Sequence, residues 1–350
     1  MRQADAHSDE LLDTERLARW MDAEDLPGRG EKPEIALISG GASNEIFSVN
    51  RGGHAMALRR PPRNIPKGRN ETMLREYRVL RALRSTDVPH PRVLGACDDP
   101  AVTDGAFFYV MEYVDGWSPM SMGEHWPAPF DADLEARRGL AFALIDGIAK
   151  LARVDWRAVG LEGFGKPVNF LERQVDRWLA HLEGFRFRDI PGLEDAAAWL
   201  REHTPSAHET GIIHGDYQFA NVMFREGAPA RLAAIVDWEM STLGDPLLDL
   251  AWVLMSWPDP HEERVGQYVD YTGMPTRDEL MNAYATSTGR DLSAIDYYIV
   301  LARFKMAVVL EGGYARFVAG GADNPKMASF GDVVLDMARR AAELARTSKL

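Results

Sequence analysis

The sequence predicts an α+β protein in two unequal parts, a β-rich first third followed by a mostly helical remainder that a small β island interrupts. Three observations carry that expectation. Before residue 113, five short runs of strand character surround one amphipathic helical segment. After it, apolar residues recur at helical spacing in seven segments. And 350 residues are more than one hydrophobic core usually organises, which suits two lobes around a cleft. The expected division is 1–113, including an N-terminal helix, and 114–350.

The elements follow in order. A helix is expected over Ser8–Met21, where Leu11, Leu12, Leu17 and Trp20 fall at roughly helical spacing. Strands are expected at Ile35–Ser39, Glu45–Asn50 and His54–Arg59, punctuated by Gly40-Gly41 and Gly52-Gly53. Pro61, Pro62 and Pro66 break the chain before a helix at Glu71–Arg84, and strands at Arg92–Cys97 and Phe107–Glu112 complete the first part. Asp115-Gly116 offers a hinge. Helices then span Leu134–Leu151, Phe170–Leu182 and Leu193–His203. The β island is Gly211–His214, Asn221–Phe224 and Arg231–Asp237. Helices resume at Pro246–Met255, Arg277–Thr286, Leu292–Leu310 and Ala328–Leu344.

Composition narrows the partners. With 40 basic and 53 acidic residues the net charge is −13, which argues against nucleic acid or an anionic membrane as the main partner. A nucleotide is not excluded, because its phosphates need only a few local cations, backbone donors and metal ions. The single cysteine, Cys97, permits no intramolecular disulfide and no cysteine cluster, and reads as a small buried apolar residue. No run approaches a membrane span and Met1–Leu12 is charged throughout, so a cytoplasmic protein is expected. Gly160 to Lys166 spells the G-x-x-x-x-G-K pattern, but Pro167 stands where Mg²⁺ requires Ser or Thr, and no apolar strand precedes Gly160. It is a surface loop.

The densest signal is His214-Gly215-Asp216, Asn221 five residues later, and Asp237 after the apolar Ile235-Val236. Phosphoryl transfer from ATP needs a carboxylate near the acceptor hydroxyl and hard oxygen ligands for the Mg²⁺ ions that neutralise the triphosphate. Asp216 can supply the base, and Asn221 and Asp237 the metal ligands, if the strands around the Gly227/Pro229 turn fold back as a hairpin.

That block, continued by Gly244-Asp245-Pro246 and Asp249-Leu250-Ala251, resembles the aminoglycoside phosphotransferase family, which shares the protein-kinase fold. Val236–Pro246, Ala57–Pro62 and Phe108–Tyr113 are most similar to the branch related to kinase-like domains fused to some acyl-CoA dehydrogenases. The resemblance covers about residues 30–315. It implies a bilobal fold: a small N-lobe with a five-stranded antiparallel sheet plus a helix, and a larger helical C-lobe. It also implies an ATP- and Mg²⁺-dependent kinase acting on a small-molecule hydroxyl. Under it Asp216 is the catalytic base, Asn221 and Asp237 hold Mg²⁺, His214 props the loop, and Asp249 fixes that loop by accepting backbone N–H bonds.

The nucleotide half is plainer. Gly41, Ser43 and Asn44 lie between two strands, where the Gly40-Gly41 backbone could approach phosphates; an ordinary hairpin turn is the alternative. Arg59 stands where the kinase fold usually has a lysine for the α/β-phosphates, with Glu76 as its partner on the next helix; Arg60 is the alternative ligand, and strand alternation favours Arg59. Glu112 and Val114 read as part of the segment between lobes, whose backbone groups are expected to hydrogen-bond the adenine edge.

The acceptor is open. A hydroxyacyl compound is one expectation, with Arg173, Arg177, Arg186 and Arg188 available to anionic groups; an aminoglycoside is another. Trp117, Trp126, Trp178, Trp252 and Trp257 serve either a core or an acceptor pocket. A nucleotide-binding pseudokinase acting as a regulatory module is the alternative from a different class.

Overall fold

The computed structural model describes residues 12–40, 44–122, 125–206, 208–258, 269–321 and 327–350. The chain falls into two compact units. The first comprises Met1–Gly116, Val159–Leu161 and Ala233–Glu239; the second comprises Trp117–Ala158, Glu162–Leu232 and Met240–Leu350.

In the first unit, helix α1 (Thr14–Ala23) starts at Asp13, whose carboxylate accepts the N–H groups of Glu15 and Arg16. The expected helix from Ser8 lies partly outside the described residues. Strands β1 (Glu34–Gly40), β2 (Glu45–Arg51) and β3 (His54–Arg60) follow, then α2 (Arg69–Leu83), β4 (Val93–Cys97), a short α3 (Pro100–Thr103) and β5 (Phe108–Glu112). The five strands form one antiparallel sheet in the order β1-β2-β3-β5-β4.

Strand alternation sorts the two faces. Phe47, Val49, Met56, Leu58, Phe108 and Val110 join Leu17 and Met21 of α1 in one core, with Cys97 buried among them and the Trp20 ring edge-on to Phe108 at 4.8 Å. Arg59, one residue on from Leu58, points to the opposite face, where α2 presents Glu76. Segment 233–239 is tied to this unit by Ile235, whose N–H donates to the Pro89 carbonyl at 2.9 Å.

The second unit begins with the four-residue α4 (Pro119–Met122), then α5 (Leu134–Ala152), α6 (Gln174–Glu183) and α7 (Leu193–Glu202). After β6 (Gly211–Ile213) comes β7 (Val222–Phe224), then β8 (Leu232–Ile235), which from Ala233 onward belongs to the first unit, and then β9 (Thr242–Gly244), α8 (Leu247–Ser256), α9 (Arg277–Thr288), α10 (Ile295–Val318) and α11 (Phe330–Thr347). Helix α8 is apolar nearly all round and buried accordingly. Helix α10 is the spine against which α6, α7, α8 and α11 pack. Strand β6 pairs antiparallel with β9, Ile212 opposite Leu243, and this two-stranded ladder delivers the chain into His214. Among the described residues, no helix is long and apolar enough to cross a membrane.

Candidate active site

The loop after β6 is pinned from below by one carboxylate. Asp249, in the first turn of α8, accepts the His214 N–H through Oδ2 at 2.7 Å and the Gly215 N–H through Oδ1 at 2.9 Å. Burial pushes its carboxyl above the ordinary value, while the His214 ring, the two N–H donors and Lys305 pull the other way. His214 is fully buried, and its Nδ1 faces the Asp216 N–H at 3.3 Å. Gly215 takes φ +86, and a Cβ there would lie 2.6 Å from the Met240 carbonyl oxygen. The turn therefore requires glycine.

Asp216 leaves that turn half-buried with both carboxylate oxygens engaged. Oδ1 accepts from Gln218 Nε2 at 2.7 Å and from Trp252 Nε1 at 2.8 Å. Oδ2 accepts from Asn221 Nδ2 at 2.7 Å, and the same nitrogen reaches the Asp216 carbonyl at 2.8 Å. Three donors thus hold an oriented acceptor, and among the described residues the Asn221 amide oxygen stays available to another partner.

In the first unit, Arg59 sits between two carboxylates. Its Nε lies 2.9 Å from Glu76 Oε2 and its Nη2 3.0 Å from Asp237 Oδ1. Burial opposes the guanidinium charge, but Glu76, Tyr109 and Asp237 overcome it and hold Arg59 above its ordinary value. Burial likewise pushes the Glu76 carboxyl up to about 6, against Arg59 and the Tyr109 hydroxyl, which donates to it at 3.0 Å. Asp237 adopts φ 64, a left-handed conformation that aspartate tolerates better than most residues and that clusters at functional positions. Carboxylate oxygens of Glu76, Asp237 and Glu239 lie within 4.8 Å of one another, and Arg69 pairs with Glu239 at 2.9 Å. This all-oxygen set suits a hard divalent cation such as Mg²⁺ rather than a thiophilic metal.

The Arg59–Glu76 pair gives a stability test. Arg59→Met strands a buried carboxylate, which costs ~3–5 kcal/mol when one partner of a buried pair is removed. The deficit should grow as pH rises from the ordinary carboxylate range, because a neutral Glu76 needs no cation. Adding Glu76→Gln should recover most of it, read by urea unfolding at acid and neutral pH; a double variant as unstable as R59M would overturn the pairing.

The remaining candidates are placed as follows. Gly41 and Ser43 lie outside the described residues, and Asn44 stands partly buried just before β2. Arg60 donates through Nε to the Pro61 carbonyl at 3.1 Å. Glu112 is exposed with its N–H already donated to the Arg92 carbonyl at 2.8 Å, and Val114 is half-buried. Trp117, Trp126 and Trp257 pack with Phe219 and Phe224. Sequence reasoning missed Gln218, Trp252 and Lys305 as neighbours of Asp216. For Trp252 a signal existed, since it lies three residues after Asp249 on the same helix face.

The sheet with its helix, joined to a helical remainder carrying an aspartate loop, is the architecture of the kinase-like phosphotransferases. The chain belongs to the APH phosphotransferase enzyme family, which it matches over residues 34–281. A crystal structure from Ralstonia eutropha, of a protein named as an aminoglycoside phosphotransferase, superposes with a TM-score of 0.82 at 31% identity, covering 97% of this chain and 100% of that one. Macrolide 2′-phosphotransferase MphH from Brachybacterium faecium shares the fold at TM-score 0.57 and 17% identity, over 97% of this chain and 99% of that one. Acyl-CoA dehydrogenase family member 11 of Gallus gallus is 32% identical over 336 residues, covering 92% of this chain and 42% of that protein. The human protein of that name is 29% identical over 331 residues, with the same two shares. The chain thus spans less than half the length of these relatives. The family and fold support kinase-type phosphotransfer as the activity.

Proposed function

We propose that the chain transfers the γ-phosphate of ATP to a hydroxyl group of a small molecule, with Asp216 accepting the hydroxyl proton. The observation that carries this is the Asp216 carboxylate, aimed by Gln218, Asn221 and Trp252 from a loop that Asp249 anchors. The acceptor oxygen attacks the γ-phosphorus, the bond from that phosphorus to the β,γ-bridging oxygen breaks, and ADP departs. The hydroxyl proton passes to Asp216, which orients the nucleophile as the P–O bond forms. Asn221 through its amide oxygen, and Asp237 through its carboxylate, are the residues that would hold Mg²⁺, which when bound neutralises phosphate charge. Arg59 contributes a fixed cation for the phosphates.

Two likenesses support the nucleotide and the acceptor class. A thermostable mutant of aminoglycoside phosphotransferase APH(4)-Ia with this fold, TM-score 0.58 at 13% identity, was crystallised with ADP and hygromycin B. The names of the acyl-CoA dehydrogenase relatives favour an acceptor hydroxyl carried on an acyl group. The arginine run offers that substrate less than its sequence suggests. Arg186 pairs with Glu183 and Glu194, Arg188 with Glu311, and Arg173 donates to the backbone carbonyls of Asn169 and Lys166. Only the exposed Arg177 of the four, resting over the Trp178 ring at 5.5 Å, has no carboxylate or carbonyl partner for its guanidinium among the described residues.

A coupled ADP-release assay with hydroxyacyl thioesters, aminoglycosides and macrolides tests the reading. Acceptor-dependent ADP release with one class is the expected result, the thioesters foremost. No release with any acceptor, and no basal hydrolysis with Mg²⁺ or Mn²⁺, would leave a nucleotide-binding module without transfer.

A further inference from the structure

We propose that Lys305 is a positioning residue for the transfer step: its ammonium, lodged against the faces of Trp252 and Trp178, holds the Gly215 carbonyl and so fixes the turn that aims Asp216. This rests on the reading of Asp216 given above and adds a residue to it.

Lys305 lies on α10, ninety positions from the loop, in a stretch buried continuously from Tyr297 to Lys305. Its Nζ donates to the Gly215 carbonyl at 2.7 Å and stands 4.4 Å from the Trp252 ring centre and 5.6 Å from that of Trp178. Among the described residues that carbonyl is its one hydrogen-bond acceptor. A buried ammonium with a single acceptor is costly to the fold, and an apolar side chain of similar length would pack in its place. Its position shows what the charge secures. Gly215 is held at both ends of the residue, its N–H by Asp249 at 2.9 Å and its C=O by Lys305 at 2.7 Å. With Gly215 thus fixed, the direction in which Asp216 leaves the turn is fixed too.

Trp252 joins the same device from the other side. One indole bonds Asp216 Oδ1 through its N–H at 2.8 Å and offers its ring face to the Lys305 ammonium. A cation over an indole is attracted to the ring, so Lys305 also steadies the donor that orients the carboxylate. Loop backbone and carboxylate are therefore braced by one lysine, directly and through one tryptophan.

The charged groups facing Lys305 are Asp216 from the loop, Asp249 from α8 and Arg177 from α6. Burial pulls the ammonium down to about 8, with Arg177 adding to the fall and the two aspartates opposing it. Lys305 is then charged at neutral pH and loses its proton as pH rises through about 8, when the brace weakens. A residue serving packing alone would give turnover no such limb.

The test combines the wild-type protein with two variants. For the wild type, kcat for basal ATP hydrolysis, or for an acceptor found in the panel, should fall on the alkaline side with a midpoint near 8. Lysine labelled with ¹³C and ¹⁵N at its terminal carbon and nitrogen, assigned by the signal lost in Lys305→Met, should show one ammonium titrating in that range. K305M should lower kcat ~10- to 100-fold, leave the KM for ATP unchanged and abolish the alkaline limb. Trp252→Phe should lower kcat while keeping the limb. A wild-type profile flat to high pH, with no lysine titrating near 8, would overturn the proposal even if K305M failed to fold. So would K305M turnover equal to wild type. A wild type that hydrolyses no ATP and phosphorylates nothing would sink the functional reading itself, and this inference with it.

Discussion

Replacing Asp216 with Asn is expected to lower turnover by ~10² to 10⁴-fold, the usual worth of a positioned base, while MgATP still binds. The carboxylate accepts hydrogen bonds on both oxygens and donates none, so it is committed to the acceptor role the reaction needs. An Asn side chain must instead point an NH₂ at a donor, either Asn221 Nδ2 or the pair Gln218 Nε2 and Trp252 Nε1. That mismatch disturbs the loop in addition to removing the base. Asp216→Ala has no such mismatch, so it separates the two effects. If proton acceptance is the role, both variants lose turnover to a similar degree and calorimetry finds their MgATP affinity close to wild type. Turnover of D216A near wild type would sink the assignment, and turnover lost by D216N alone would make orientation of the loop the whole effect.

Much of the fold was legible because its signals are local. The β-rich first part carries alternating apolar residues between glycine and proline punctuation, and these became a five-stranded antiparallel sheet with one long helix. Where the expectation missed, nonlocal packing decided. Helix α10 was expected to stop at Leu310, before Glu311-Gly312-Gly313, yet it runs to Val318. The glycines do not break it because the Phe185 and Phe330 rings rest where their side chains would be, 3.1 Å and 3.0 Å from the missing Cβ atoms. Glu311 does not expose the helix because Arg188 meets it at 2.6 Å. Strand β9 was missed for a different reason. Three residues are too short for a period, and only pairing with β6 makes them a strand.

For the proposed site, spacing along the chain singled out Asp216, Asn221 and Asp237 as candidates because the first two share one loop and the third ends a short apolar run. It could not reveal Lys305, ninety residues from the carbonyl it binds. A single lysine within the apolar run of α10 was the visible trace, but a helical pattern cannot tell a charge facing solvent from one facing a loop. The Arg59 reading gained content in the other direction. Alternation chose Arg59 over Arg60, and the geometry adds that its partners are both Glu76 and Asp237.

Asp237→Ala should abolish Mg²⁺-dependent ATP binding while leaving the protein folded. Even outer-shell partners of metal ligands are worth ~10- to 100-fold in affinity, so losing a direct ligand should cost at least the upper end of that range. Stability should move little, for reasons visible around the residue. Arg59 keeps Glu76 as a buried partner at 2.9 Å when Asp237 is removed. Asp237 is itself among the charges that push the Glu76 carboxyl up, so its loss lets Glu76 fall toward the ordinary range and tightens the remaining pair. Against that stands the left-handed backbone at φ 64, where Ala pays ~1–2 kcal/mol more than a residue at ease there. Asp237→Asn tolerates that conformation and removes only the charge, so it controls for the backbone. Calorimetry with ATP, with and without Mg²⁺, decides between ligand and turn residue. Both variants should lose the metal-dependent part of binding, and D237A should unfold at a denaturant concentration close to wild type. Unchanged affinity and metal dependence in D237N and D237A would mean that Asp237 serves only the turn and its pair with Arg59.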